Sequence, residues 1–230
     1  MSVQQQRDAV VADELARQPE VTPGSEERYS NVGYVVLGAA LEKITGTSFE
    51  ALMRERVFKP LGILTGGFGA PGTPGRVDAP WGHDERGRPV DPGRPDADNP
   101  PYFGPSGTVH MTMEDWAKFT LAHLRGDSAN PARQVQLLRP QTYDELHRSP
   151  PGEDYSAGWG TGTIDYAKGS RPDDKGVVFG HEGSNGLWYC KVLAAPELDL
   201  AVLVACNRGG DEFGAKAVPK ATLAIFRSFA

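Results

Sequence analysis

The chain has no apolar run near the ~20 residues that a membrane-spanning helix requires, so nothing in its 230 residues reads as a span. It has no run of basic residues either. With 24 Lys and Arg against 30 Asp and Glu, the formal charge is −6, which argues against a nucleic-acid or anionic-membrane partner. Cysteine is scarce. Cys190 and Cys206 are too few for a disulfide scaffold. They lie almost symmetrically about the Pro196–Asp199 turn, where they could face each other across a hairpin; buried thiols are the favoured reading. The five histidines, His83, His110, His123, His147 and His181, fall in no HExxH spacing, and no C-x-x-C exists, so no metal site is expected. There is no Gly-rich phosphate loop after a strand and no G-x-S-x-G elbow, and no cofactor is called for. The opening MSVQQQRDAVVADELARQ is polar and lacks the apolar core of a signal peptide, which reads as a cytoplasmic product.

What is present suffices for a core, at 39% hydrophobic residues. Residues 3–18 read as a short helix ended by Pro19. Ser30 is a plausible N-cap for a second, in which Val32, Val36, Leu37, Ala40, Leu41 and Ile44 recur at helical spacing up to Gly46. A third is expected from Phe49 to Phe58, stopping before Pro60. From Gly62 to Thr108 the chain is rich in Gly, Pro and Asp, the composition of a long functional or mobile loop. Thr112 with Asp115 resembles a capping box for a helix through Trp116, Phe119, Leu121 and Leu124 to Gly126, and Leu138–Arg148 reads as a short helix. The last third is strand-like: GVVFGHEG, GLWYCKVLAAP and LDLAVLVACN. LAVLVAC is continuously apolar, as in a central strand covered on both faces. Residues 213–229 close the chain as a helix that Pro219 either kinks or starts. Helices first and strands after give an α+β class: one domain over 1–230, with a mainly helical and loop part at 19–150 and an antiparallel sheet with terminal helix at 151–230.

Three local features could carry chemistry. Tyr29 and Asn31 flank a helix entrance; a phenol acts as a base when cations lower its pKa, and an amide holds a ligand by donor and acceptor together. By themselves they read first as a surface Tyr and a capping Asn. His181-Glu182-Gly183-Ser184 joins two strand-like runs, where glycine permits close backbone approach and a strand edge offers free N–H groups. The third, GPSGTVHMTMEDWAKF, reads as structural, with His110 packed or at the surface rather than a ligand.

Taken in order, PGSEERYSNVGYVVLGAALEKITG, FKPLGI, GPSGTVHMTMEDWAKFTLAHLRG, YSAGWG and GHEGSNGLWYCKVLAAPELDLAVLVACN resemble the serine β-lactamase-like superfamily. That group includes class C β-lactamases, D-Ala-D-Ala carboxypeptidases and related esterases. The resemblance implies part of a β-lactamase/transpeptidase-like fold and places Tyr29-Ser30-Asn31 on the Tyr-x-Asn motif and His181-Glu182-Gly183 on the Lys/His-Thr/Ser-Gly motif. By that mapping Tyr29 is the general base, alone or with a lysine. Asn31 orients the substrate amide, and His181 supports the hydroxyl network. Gly183 allows close approach, and the Ser184 N–H is one oxyanion donor.

One family motif, Ser-x-x-Lys, has no counterpart here. Three positions before the eight lysines stand Ala40, Arg56, Asp115, Asp165, Pro172, Trp188, Phe213 and Ala217, and none bears a hydroxyl. The expectation is therefore a truncated serine-hydrolase-type domain, inactive alone because nucleophile and partners act as a unit. It would be active only with a complementing N-terminal chain, or serve as a non-catalytic module binding a peptide or cell-wall fragment. A nucleophile recruited from Ser30, Ser106 or Ser184 is the remaining alternative. Glu182 in place of a hydroxyl residue, and His181 in place of lysine, point away from anionic β-lactams toward neutral esters or amides. An unpaired sheet edge and an exposed apolar face are expected, favouring a homodimer or a bound partner.

Overall fold

The computed structural model describes residues 1–126 and 137–230. Residues 127–136 of the expected helix-and-loop part lie outside the described residues. Helix α1, Val3–Leu15, starts at a reciprocal capping box of Ser2 and Gln5 and ends three residues short of the expected limit. A charge fixes its position. Arg7 is fully buried, pairs with Glu42 and with Glu50 at 2.7 Å, and donates from Nε to the Tyr102 carbonyl at 3.1 Å.

Helix α2, Asn31–Thr45, has the expected caps: the Ser30 hydroxyl accepts from the Gly33 N–H, and Gly46 closes the helix at φ 66°. Its buried face is not the stripe the sequence suggests. Val35, Gly38, Ala39 and Glu42 are buried, whereas Leu37 is 53% and Ile44 81% exposed, with Leu41 and Ala40 also open. The inner face was hidden in the sequence because two of its members are Gly38 and Glu42. Gly38 lets Pro105 lie against the helix, where a Cβ would come within 2.3 Å of the proline ring. Glu42 is buried because Arg7 neutralises it.

The expected third helix runs through Pro60 instead of stopping before it. Phe49–Met53 passes into a π-helical turn at Arg54–Phe58 and on to Leu61, with Gly62 left-handed at φ 64°. Thr112 caps α3, Met113–Arg125, by accepting from the Asp115 N–H at 3.3 Å. The reciprocal half of the capping box does not form. The Asp115 carboxylate instead takes the N–H groups of Leu64 (2.8 Å) and Thr65 (2.7 Å), the Thr65 hydroxyl (2.6 Å) and the Lys118 ammonium (2.6 Å). Those bonds, the Lys118 one foremost, hold its pKa far below the usual carboxylate range. Asp115 thus docks the start of the long loop onto α3. A shorter helix, α4, covers Pro140–Leu146 of the expected Leu138–Arg148.

The loop from Gly62 to Thr108 is built on aspartates. Asp78 accepts from the Thr73 N–H, Asp91 from those of Gly75 and Gly93, and Asp84 from those of Arg86 and Arg88. Two-residue ribbons form at Gly67–Phe68 with Val109–His110 and at Gly82–His83 with Pro89–Val90. His110 is held through Nδ1 to the Gly69 carbonyl at 2.7 Å.

The main sheet is a five-stranded antiparallel meander: β1 Tyr155–Ser156, β2 Trp159–Thr163, β3 Val177–Ser184, β4 Tyr189–Ala195 and β5 Leu200–Cys206. One face buries Val178, Leu193, Ala195 and Val202 with Phe226 of the closing helix α5, Ala215–Phe229. The other buries Trp159, Phe179, Val192 and Ala194 with Leu124 of α3. Pro219 lies inside α5 rather than at its start. The apolar LAVLVAC run is an edge strand, not a central one, and pairs with β4 alone among the described residues. Apolar residues at successive positions report two covered faces; they say nothing about neighbours in the sheet. The same register separates the cysteines. Cys190 opposes Ala205 and Cys206 opposes Tyr189, one residue out of step, so the two thiols alternate to different faces, and both are free and half-buried.

Candidate active site

The cap of α2 builds the first wall. Ser30 is extended (φ −146°, ψ 113°), which sends its neighbours Tyr29 and Asn31 to the same side of the backbone. Their side chains meet, the Tyr29 hydroxyl donating to Asn31 Oδ1 at 3.4 Å. Tyr29 is 61% exposed. The Ser106 hydroxyl donates to the Asn31 carbonyl at 2.5 Å, so the segment seated on Gly38 also braces the start of the helix.

Strand β3 builds the second wall. Its pairing with β2 ends at Gly180, and His181 to Ser184 run on with β4 on one side only. His181 lies on this free stretch, half-buried, with its pKa lowered by burial against the opposing pull of the Glu182 charge. The ring is therefore neutral at neutral pH. Glu182 gives its carboxylate to Lys191 and to the Tyr189 hydroxyl. Burial works to raise its pKa, and the hydrogen bonds from those two partners overcome it, leaving a net lowering. The charge that would repel an anion is thus countered locally by Lys191.

Tyr155 joins the walls. Its ring meets Tyr29 edge-on at 5.6 Å between centroids, and its hydroxyl lies 3.2 Å from His181 Nε2. Tyr29, Tyr155, His181, Glu182 and Lys191 line one groove of about 540 Å³. On the other side of the tyrosine pair is a second cavity of about 390 Å³, lined also by Glu27, Ser30, Tyr34 and Ala157. The structure therefore brings Tyr29, Asn31 and His181 into one neighbourhood, although they are 150 residues apart in sequence. Gly183 and Ser184 continue the same strand but do not line this groove. A Cβ on Gly183 would sit 3.3 Å from the Cys190 sulfur.

Tyr155 and Tyr34 were given no part in the sequence reading. Tyr155 stands in the YSAGWG segment, where the signal is a tight β1–β2 turn with two left-handed residues, Ala157 at φ 48° and Gly158 at φ 92°. Ala157 in that conformation is strained, and the turn carries Tyr155 up to the groove.

The three serines named as alternative nucleophiles are all engaged elsewhere. Ser30 caps Gly33, Ser106 bonds the Asn31 carbonyl, and Ser184 donates to the Trp188 carbonyl while accepting from the Gly186 N–H. Among the described residues no group of three or more His, Cys, Asp or Glu is placed to hold a metal ion. No helix in them is long and apolar enough to cross a membrane.

Comparison with known proteins bears on the fold and the family. The chain is 27% identical over 195 residues to Penicillin-binding protein 4 of Amycolatopsis lactamdurans, covering 81% of this chain and 49% of the relative. It is 25% identical over 205 residues to Protein flp of Staphylococcus aureus (strain N315), covering 86% of this chain and 36% of that one. The octameric penicillin-binding protein homologue from Pyrococcus abyssi superposes with a TM-score of 0.71 at 22% identity, over 99% of this chain and 49% of that structure. The chain thus spans half the length, or less, of the curated relatives it matches. A family model described as Beta-lactamase matches residues 2–225, and the chain belongs to that family.

Proposed function

We propose that these residues form the Tyr-x-Asn and His-x-Gly side of an acyl-transfer site acting on neutral esters or amides, and that the attacking hydroxyl and its lysine come from polypeptide outside them. Family membership makes this a hydrolase-type domain. The observation that carries the finer reading is a pair of facing walls with no serine–lysine pair between them among the described residues. Tyr29 and His181 share a groove, but its lysine, Lys191, is bound to Glu182, and Ser30, Ser106 and Ser184 each cap or brace the backbone.

The open surfaces fit a complementing segment. The apolar stripe of α2, with Leu37 at 53% and Ile44 at 81% exposed, begins at the very cap that presents Tyr29 and Asn31. Among the described residues the uncharged outer edge of β5 pairs with no further strand, and such an edge can take one. A polypeptide carrying Ser-x-x-Lys that packs on α2 and pairs with β5 would bury both and bring the missing groups to the groove.

The test has two arms. The purified 230-residue chain is expected neither to turn over a p-nitrophenyl ester nor to be labelled by a fluorophosphonate. Co-expression with the polypeptide encoded immediately upstream, if that encodes Ser-x-x-Lys, is expected to restore both. Sustained turnover by the chain alone, lost on Ser106→Ala or Ser184→Ala, would refute the reading. Saturable binding of a peptidoglycan peptide with no turnover in either arm would favour a binding module instead.

A further inference from the structure

We propose that Tyr155 is a positioning residue for His181: its hydroxyl donates to Nε2, fixing the ring in the tautomer that carries its proton on Nδ1. The geometry is the 3.2 Å contact between the Tyr155 hydroxyl and Nε2, with a second phenol, Tyr34, lining the cavity on which Tyr155 also borders. Imidazole nitrogen is a far better acceptor than a phenolic oxygen, and a phenol is a better donor than a neutral imidazole N–H. The arrangement O–H···N therefore prevails over N–H···O.

The surroundings keep these groups uncharged. Burial raises both phenols, with Tyr29 and Glu27 adding to the effect while contact with Tyr155 works against it at Tyr34, and burial lowers His181. The charged groups near the ring are Glu182, on the same strand, and Lys191, on β4, and they pair with each other. Among the described residues no hydrogen bond engages Nδ1. His181 thereby offers a neutral N–H donor at the free stretch of β3, where a substrate acyl group would lie. This last step rests on the function proposed above; the tautomer does not.

Long-range 15N–1H correlation spectra of the labelled 230-residue chain, near pH 8 where a free imidazole is neutral, read the tautomer directly. Wild type is expected to show Nδ1–H at His181. Tyr155→Phe should shift the tautomer ratio about fivefold toward Nε2–H, the worth of one hydrogen bond. The His123 and His147 resonances, remote from this contact, report whether the variant keeps its fold. If Tyr155→Phe does not fold, the wild-type spectrum still decides. Nε2–H at His181 in wild type, or a ratio unmoved in folded Tyr155→Phe, overturns the proposal. Because the readout needs no turnover, its failure is distinct from failure of the hydrolase reading.

Discussion

Two clusters of histidine and tyrosine lie on this domain, and they differ in what surrounds them. In one, His123 and His147 touch through ring nitrogens at 3.0 Å and pack against Trp159, Phe179 and Tyr143, with His147 stacked on Phe179 at 4.0 Å. Burial drives His123 down to about 3, with the His147 charge adding to it, and takes His147 to about 4. In the other, His181 is also lowered by burial, yet it borders a groove of about 540 Å³ beside an exposed Tyr29. The stronger perturbation marks the core, and the weaker one marks the candidate site. A shifted pKa points to function only where the group also meets open space.

That contrast can be tested from its strongest side downward. Phe179→Ala removes the ring shared by Trp159 and His147 and is expected to cost about 3–5 kcal/mol in denaturant unfolding. Arg7→Met leaves Glu42 buried without its partner and is expected to cost about 3–5 kcal/mol by the same measurement, although α1 is a peripheral helix. A result below ~1 kcal/mol would show that water reaches Glu42.

Acid should also act through the buried pair. The folded pKa values of about 3 and 4 lie below that of a free histidine, so the unfolded chain binds more protons between those limits. The stability these residues give is whole above pH ~6.5 and is lost progressively as pH falls from there toward the folded values. About 2–4 kcal/mol should disappear between pH 7 and 5, and His123→Phe should flatten that dependence, as followed by thermal unfolding. At the open site the effects on stability should nearly vanish. Tyr29→Phe, at 61% exposure, is expected to change stability by no more than about 0.5 kcal/mol. It should nevertheless remove the activity of a complemented site; wild-type turnover in that variant would strip Tyr29 of its proposed role as base.

The caps of α2, the start of α3 and the three long strands were readable because Ser30, Gly46, Thr112 and the β-branched runs act over a few neighbouring residues. Other features were misread. The apolar stripe of α2 pointed outward, since Arg7, 35 residues before Glu42, decides which face is inside. Asp115 was taken for half of a capping box, but its partners Leu64 and Thr65 are 51 and 50 residues away. LAVLVAC read as central because sequence reports cover on faces and not pairing at edges.

The site divides in the same way. The order of its motifs, the absence of a hydroxyl-x-x-lysine and the cap that sets Tyr29 beside Asn31 are properties of the sequence, being matters of residue type and of spacing within one turn. That Tyr155 joins the two walls, that Lys191 neutralises Glu182 and that Ser106 braces Asn31 were decided only by the tertiary structure. Each of those contacts depends on where a sheet register or a loop closure sets two distant segments. A pairing shifted by one residue would have turned His181 to the other face of the sheet.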